Sequence, residues 1–129
     1  MPYIIELRNY LRGELGMKLV FLYHPVKNLK ESLAFYRDTL GFEEAWREGE
    51  HTVALSLPNS DIRLMIEDDE QELTAGGIFL VDSVDSFFKE NKEVLEFVKE
   101  PIDIPPGRYA IYKDNSGNLL RILDFTKEN

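Results

Sequence analysis

The sequence contains no cysteine, so the protein can form neither a disulfide bond nor a thiolate metal site. This absence suits a reducing compartment, and we expect a cytoplasmic protein. No run of about 18 apolar residues occurs, and residues 1–16 lack the positively charged end followed by an apolar stretch that marks a secretory signal. The sequence therefore predicts neither membrane insertion nor export.

Positive charge is scarce, since 15 Lys and Arg residues face 24 Asp and Glu residues, which gives a net charge of -9. Nucleic-acid affinity depends largely on clustered Lys and Arg, so we exclude nucleic acid as a partner. Glycine-rich phosphate loops and a Gly-x-Ser-x-Gly elbow are also absent. Nucleotide binding and a serine nucleophile therefore have no support.

Hydrophobic residues make up 43% of the 129 residues and aromatic residues 12%, which is enough for one domain with its own core. We expect a single domain over residues 1–129. Ile4, Leu7 and Leu11 lie at helical spacing, which predicts an amphipathic helical extension over residues 1–16. The alternative is an appendage that packs on the domain or on a partner subunit.

A first module is predicted over residues 17–68. A strand at 19–26 precedes a helix at 29–40, for which Asn28 is the N-cap and Gly41 the left-handed C-cap residue. The apolar face of this helix consists of Leu29, Leu33, Tyr36 and Leu40. Three strands then follow at 42–48, 51–57 and 62–67. The order is β-α-β-β-β.

A second module is predicted over residues 74–126, after an acidic link. A strand at 78–81 leads to a helix that Ser83 caps, and its apolar face consists of Val84, Phe87, Phe88 and Leu95. A short strand at 97–99, a loop at 101–107 and a hairpin of strands 108–113 and 119–125 complete the module. The sequence thus predicts an α+β fold built from two β-α-β-β-β modules, repeating after about 55 residues.

The segments VKNL at 26–29 and SLAFYRDTLGF at 32–42 resemble the first-module signature of the vicinal oxygen chelate superfamily, the glyoxalase and bleomycin-resistance relatives. The segments VDSV at 81–84 and KDNSGNLL at 113–120 are similar to the matching parts of the second module. The resemblance covers residues 17–126. It implies two sheets that curve into a cup, a ligand or metal held inside, and often a homodimer.

Metal-using members of this superfamily take one ligand from the first strand and one from the last strand of each module. The resemblance aligns three of these positions with Phe21, Gly76 and Arg121, none of which is a ligand. Candidates for the fourth position, in the last strand of module one, are Arg63, Leu64 and Met65. Because a cationic guanidinium repels a divalent ion, we predict no metal and no cofactor.

Two histidines lie close enough to these positions to need an interpretation of their own. His24 is near the first ligand position, but strand alternation turns it away from the face of Phe21 and Tyr23. His51 stands beside the Gly49-Glu50 turn, where we expect exposure to solvent. Neither is predicted to bind a metal.

Aromatic and cationic residues remain as candidates for the inside of the proposed cup. The predicted ligand-binding residues are Phe21, Tyr23, Trp46, Arg63, Tyr109 and Arg121. Ligand pockets combine apolar walls with a few polar anchors, and an arginine binds an anionic group bidentately. Arg121, at a position where relatives place a carboxylate, is the expected anchor. The alternative is a filled core whose arginines reach out to solvent.

The leading hypothesis is a metal-independent protein that binds a small aromatic or anionic molecule and forms a homodimer. A competing hypothesis is a metal-dependent lyase, isomerase or dioxygenase of the same superfamily, with ligands at other positions. A purely structural or partner-binding protein is a third hypothesis, suggested by the amphipathic N-terminal segment.

Overall fold

A computed structural model describes residues 16–69 and 74–128 of the chain. The predicted N-terminal helix over residues 1–16 lies outside the described residues, apart from Gly16. The described part has an α+β fold, as predicted, with two short helical segments and eight strands. None of the helices in this part is long and apolar enough to cross a membrane.

The chain forms two compact units. The first unit spans Val20–Gly77, and the second contains the described residues of Met1–Leu19 together with Ile78–Asn129. Each module contributes four strands, and the first strand of the module runs parallel to the last. The remaining pairs are antiparallel hairpin neighbours. The predicted β-α-β-β-β order is therefore present twice.

The first module contains strands in the order β2-β3-β4-β1 and one helical segment. Its elements are β1 (Met17–Pro25), α1 (Leu29–Leu33) with a π-helical continuation (Ala34–Thr39), β2 (Glu43–Glu48), β3 (Thr52–Ser56) and β4 (Arg63–Glu67). The core lies between α1 and one face of the sheet. It is formed by Leu29, Leu33, Val53, Leu55, Leu64 and Ile66.

The second module has the order β5-β8-β7-β6 and one helix. Its elements are β5 (Gly76–Val81), α2 (Val84–Asn91), β6 (Glu96–Ile104), β7 (Gly107–Lys113) and β8 (Leu119–Leu123). Its core again lies between the helix and one sheet face. It is formed by Val81, Val84, Ala110, Tyr112 and Ile122.

The two helices begin with the predicted caps. The Asn28 side chain accepts a hydrogen bond from the Glu31 backbone N–H at 2.9 Å, and Ser83 accepts one from Ser86 at 3.1 Å. Both caps have the same backbone angles, φ -148° and ψ 115°. These bonds satisfy N–H groups that have no partner inside the helix.

The predicted apolar face of the first helix is wrong at its end. Leu29, Leu33 and Tyr36 pack in the core, but Leu40 is 49% exposed. The helix becomes π-helical over Ala34–Thr39, and each π turn holds more residues than an α turn. The wider turn rotates Leu40 off the face that α-helical spacing assigns to it.

The predicted short strand at 97–99 and loop at 101–107 are also wrong. Strand β6 runs through Pro101 to Ile104, with register irregularities between Phe97 and Lys99 and between Lys99 and Ile102. Within the described residues, β6 pairs with β7 alone and ends the order of its sheet. An edge strand tolerates proline at a bulge because that position needs no N–H donor.

Candidate functional site

Four of the six predicted ligand-binding residues share one face of the first unit's sheet. The residues Val53, Leu55, Leu64 and Ile66 pack toward α1, so the side chains that alternate with them lie on the other face. Phe21 lies opposite Arg63, and Tyr23 lies opposite Met65. We call this face the aromatic face. It comprises Phe21, Tyr23, Trp46, Ala54, Ser56, Arg63, Met65 and Glu67.

Two aromatic side chains meet across this face. The rings of Phe21 and Trp46 contact each other edge to face, with centroids 5.7 Å apart. Strands β3 and β4 separate β2 from β1, so the two side chains reach toward each other across the sheet. Phe21 is 3% exposed, Tyr23 1% and Ala54 0%, whereas Trp46 is half-buried. The aromatic face is therefore buried at Phe21, Tyr23 and Ala54 and partly exposed at Trp46.

Polar groups lie at both ends of the aromatic face along β4. The Arg63 guanidinium donates from Nη1 to the Ser56 hydroxyl at 3.0 Å. The Tyr23 hydroxyl donates to Oε1 of Glu67 at 3.2 Å. Four residues along a strand place the two ends about 13 Å apart, with Met65 between them. One end is cationic and the other is acidic.

The indole N–H of Trp46 is a third polar group of the aromatic face. Its Nε1 atom is buried, and it has no hydrogen-bond partner among the residues that the structure describes. Buried donors are nearly always paired in native proteins. This donor is therefore an exception to that pattern.

Tyr109 and Arg121 belong to the second unit. Arg121 lies opposite Ile111 on one side and Ile78 on the other, and it is 0% exposed. Leu120 and Ile122 pack on the α2 side of the sheet, which puts Arg121 on the opposite face, as strand alternation predicts. Tyr109 lies on that same face and is half-buried.

The histidines lie away from the aromatic face. His24 is on the α1 side of its strand, where its Nδ1 is 3.5 Å from the Tyr36 hydroxyl. His51 Nδ1 is 2.7 Å from Oδ1 of Asp68, and the His51 side chain is 55% exposed. This hydrogen bond raises the pKa of His51 and lowers the pKa of Asp68, which also accepts from the Leu29 N–H.

The strands that hold a metal in metal-using relatives offer a poor donor set here. On these faces β1 contributes Phe21 and Tyr23, while β8 contributes Arg121 between two leucines. Strand β4 contributes a single carboxylate, Glu67, which sequence reasoning missed although alternation from Arg63 leads to it. No group of three or more His, Asp or Glu side chains able to hold a metal occurs among the described residues. A divalent cation needs several such donors, so these residues do not fit one.

Two sets of four strands, each with one helix and a first strand parallel to its last, define a protein of paired β-α-β-β-β modules. The model of the glyoxalase/bleomycin resistance protein/dioxygenase superfamily matches residues 18–122. The chain belongs to this superfamily. No curated protein matches it significantly in sequence.

Solved structures show the same fold at low sequence identity. A structure described as an NAD-dependent benzaldehyde dehydrogenase from Legionella pneumophila is 18% identical, with a TM-score of 0.67, and the match covers 81% of this chain and 97% of that one. Streptomyces coelicolor methylmalonyl-CoA epimerase is 16% identical, with a TM-score of 0.66 and coverage of 83% and 93%. The epimerase from Mycobacterium tuberculosis is 19% identical, with a TM-score of 0.61 and coverage of 82% and 86%.

Proposed function

We propose that this protein binds a small aromatic or anionic molecule without a metal, and that the aromatic face of the first unit is its binding site. The observation that carries the proposal is the position of Arg63 directly opposite Phe21, whose ring contacts Trp46. Ligand sites combine apolar walls with a few convergent polar groups. The aromatic face has both.

Charge supports an anionic group on the ligand. The chain carries a net charge of -9, so an anion needs a local cation to overcome general repulsion. Arg63 supplies this cation beside two aromatic rings, and a guanidinium presents five N–H donors in a planar fork. It can bind a carboxylate while it keeps its bond to Ser56.

Arg121 and Tyr109 form a second candidate on the corresponding face of the second unit. Arg121 is fully buried on the face opposite α2, and a guanidinium fork can bind an anionic group bidentately. We propose Arg121 as an anion anchor for that face.

We also propose a cytoplasmic homodimer. Three apolar side chains at the edge of the second unit are exposed: Val94 is 78% exposed, Val98 45% and Ile102 40%. Val98 and Ile102 lie on β6, which pairs with β7 alone among the described residues. A second copy would cover this edge and the apolar side chains.

The experiment is a thermal-shift screen of the intact protein against aromatic carboxylates, followed by calorimetry on the compounds that stabilise it. Replacing Arg63 by alanine removes a charge-assisted contact, so we expect a loss of about 2 kcal/mol, or roughly thirtyfold in affinity. Arg47→Ala is the matched control, because Arg47 lies in the same sheet but pairs with Glu44 on the exposed helix side. Its affinity should equal that of the wild type.

Two results would overturn the proposal. The first is a dissociation constant that Arg63→Ala leaves unchanged, or a screen in which no aromatic acid raises the melting temperature. The second is about one equivalent of zinc, iron, manganese or nickel that survives dialysis in elemental analysis. That result would favour a metal-dependent lyase, isomerase or dioxygenase whose metal ligands lie at positions other than Phe21, Gly76 and Arg121.

A further inference from the structure

The indole N–H of Trp46 is buried although the residue as a whole is half-buried, and it meets no acceptor among the described residues. A ligand reaches this donor by displacing the atoms that cover it. A buried donor without an acceptor destabilises a fold, so native proteins retain few of them. Replacement of the indole by phenylalanine would keep the ring contact with Phe21 and remove the unpaired group. Packing of the Trp46 ring in an aromatic wall therefore does not explain why the residue carries this N–H group.

The position of the indole indicates what kind of acceptor would meet it. The Trp46 ring contacts Phe21, and Phe21 lies opposite Arg63 on the adjacent strand. The Trp46 ring and the Arg63 backbone position thus both neighbour Phe21 on the aromatic face. A carboxylate offers two acceptor oxygens and a negative charge, and it suits a neutral donor and a cation that lie on the same side of a ligand.

The other end of the aromatic face restricts the ligand further. Glu67 stands four residues along β4 from Arg63 and accepts a hydrogen bond from Tyr23. A second carboxylate that reached this end would meet a like charge, which is unfavourable. The part of the ligand near Glu67 should therefore be apolar or carry a hydrogen-bond donor.

We infer that the ligand is a planar organic acid with one carboxylate, and that Trp46 selects it by donating its indole N–H to a carboxylate oxygen. This inference rests on the proposed function, since it names the ligand class of the same aromatic face. Trp46 is then a specificity-determining residue as well as part of the wall.

The chain has one tryptophan, so its indole N–H gives a single, self-assigned resonance in an NMR spectrum of the nitrogen-labelled protein. Benzoate is the probe, and toluene is the control of similar shape without an acceptor. We expect benzoate to shift the indole proton downfield as the hydrogen bond forms, and toluene to cause no such shift. A proton that resonates at a hydrogen-bonded position before any addition, and stays there, would overturn the inference.

Calorimetry on Trp46→Phe provides the matched variant, because phenylalanine keeps an aromatic ring and lacks the N–H. We expect benzoate to bind about tenfold more weakly and toluene to bind within about twofold of the wild type. Urea unfolding of the variant verifies that it is folded. Terephthalate, which adds a second carboxylate to the benzoate ring, should bind more weakly than 4-methylbenzoate.

The outcomes separate this inference from the proposed function. If aromatic acids bind, but the indole proton does not move and Trp46→Phe binds benzoate as the wild type does, the role of Trp46 is refuted and the binding site remains. Terephthalate that binds as tightly as 4-methylbenzoate refutes the single-carboxylate class. If no aromatic acid binds the wild type at all, the proposed function fails, and the inference fails with it.

Discussion

Gly107 marks a place where one added methyl group should break the second module. An ideal Cβ built on Gly107 would lie 2.5 Å from the backbone oxygen of Asp124 and 2.9 Å from its carbonyl carbon, and it would also clash with the Asp124 carboxylate. Real Cβ atoms essentially never approach other atoms so closely. Because two of the three atoms are backbone, a side-chain rotation cannot relieve the clash. We therefore expect Gly107→Ala to displace Asp124.

Asp124 holds several parts of the module together. Its carboxylate accepts hydrogen bonds from the Val84 N–H at 2.7 Å, from the Arg108 N–H at 2.8 Å and from the Thr126 hydroxyl at 2.8 Å. The residue is 1% exposed, so water cannot replace these partners. A hydrogen bond to a charged group contributes about 1.5–3 kcal/mol, and loss of two of them would cost about 3–6 kcal/mol.

An opposing effect is smaller. Alanine restricts the unfolded chain more than glycine, which stabilises a protein by about 0.4–1 kcal/mol where the backbone angles permit alanine. The backbone at Gly107 is permissive in this sense, since its φ lies outside the left-handed region. The loss at Asp124 outweighs this gain, and we expect a net destabilisation of about 2–5 kcal/mol.

Urea unfolding followed by circular dichroism measures this difference. Gly117→Ala is the control in the same module, because Gly117 has φ 87° and open space around its Cβ position. It should lose only the backbone cost of about 1–2 kcal/mol. A Gly107→Ala protein as stable as the wild type would refute the reasoning, because it would show that Asp124 relaxes without losing its hydrogen bonds.

Three further predictions concern the anchor, pH and assembly. Arg121→Ala should weaken binding of an aromatic acid on its face roughly thirtyfold while circular dichroism shows an intact fold; an unchanged dissociation constant would end that role. The pKa of His51 is raised in the folded protein, so this residue contributes stability below its unfolded pKa, and the contribution is lost as the pH rises through the raised pKa. The pKa of Asp68 is lowered, so its contribution is present above its unfolded pKa and is lost as the pH falls through the lowered pKa. His51→Gln should therefore reduce the free energy of unfolding more at about pH 5.5 than at about pH 8.5, and this difference should be smaller in an Asp68→Asn background, where only Asp69 and Glu50 still raise the pKa of His51. Equal effects at both pH values would contradict the pairing. Sedimentation at concentrations on the order of tens of micromolar should show a dimer that Val98→Lys dissociates, and a wild-type monomer would contradict it.

Local signals account for the parts of the fold that the sequence predicts well. Asn28 and Ser83 begin helices because their side chains bond N–H groups three residues on, which depends on short-range chemistry alone. Gly41 has φ 83°, as a left-handed C-cap residue requires. Each of these features is set within a few residues of chain.

The errors arise where tertiary structure overrides a local pattern. The π turn that exposes Leu40 breaks a spacing that fits an α-helix. Pro101 predicts the start of a loop, yet β6 continues through it. An edge strand has no neighbour on one side, and its backbone needs no N–H donor there. Neither the π turn nor the edge position can be inferred from the residues themselves.

The aromatic face was also predictable only in part from the sequence. Alternation along β1 and β4 places Phe21 and Arg63 on one face from sequence alone. The contact between Phe21 and Trp46 depends on the order β2-β3-β4-β1 and on side chains that reach across two strands. The burial of the indole N–H is likewise a property of the folded chain, so it is visible only in the structure.

The two modules share one hydrogen-bonded link between the end of the last strand and the start of the helix. Asp68 follows β4 and accepts from the first helical N–H at Leu29, while Asp124 follows β8 and accepts from the equivalent N–H at Val84. Each aspartate thereby ties the last strand of its module to the start of its helix. The helix side of each sheet and this aspartate hold the module together, so the opposite face is left with fewer structural constraints on its side chains. The fold accordingly persists in solved structures that are only 16–19% identical to this chain.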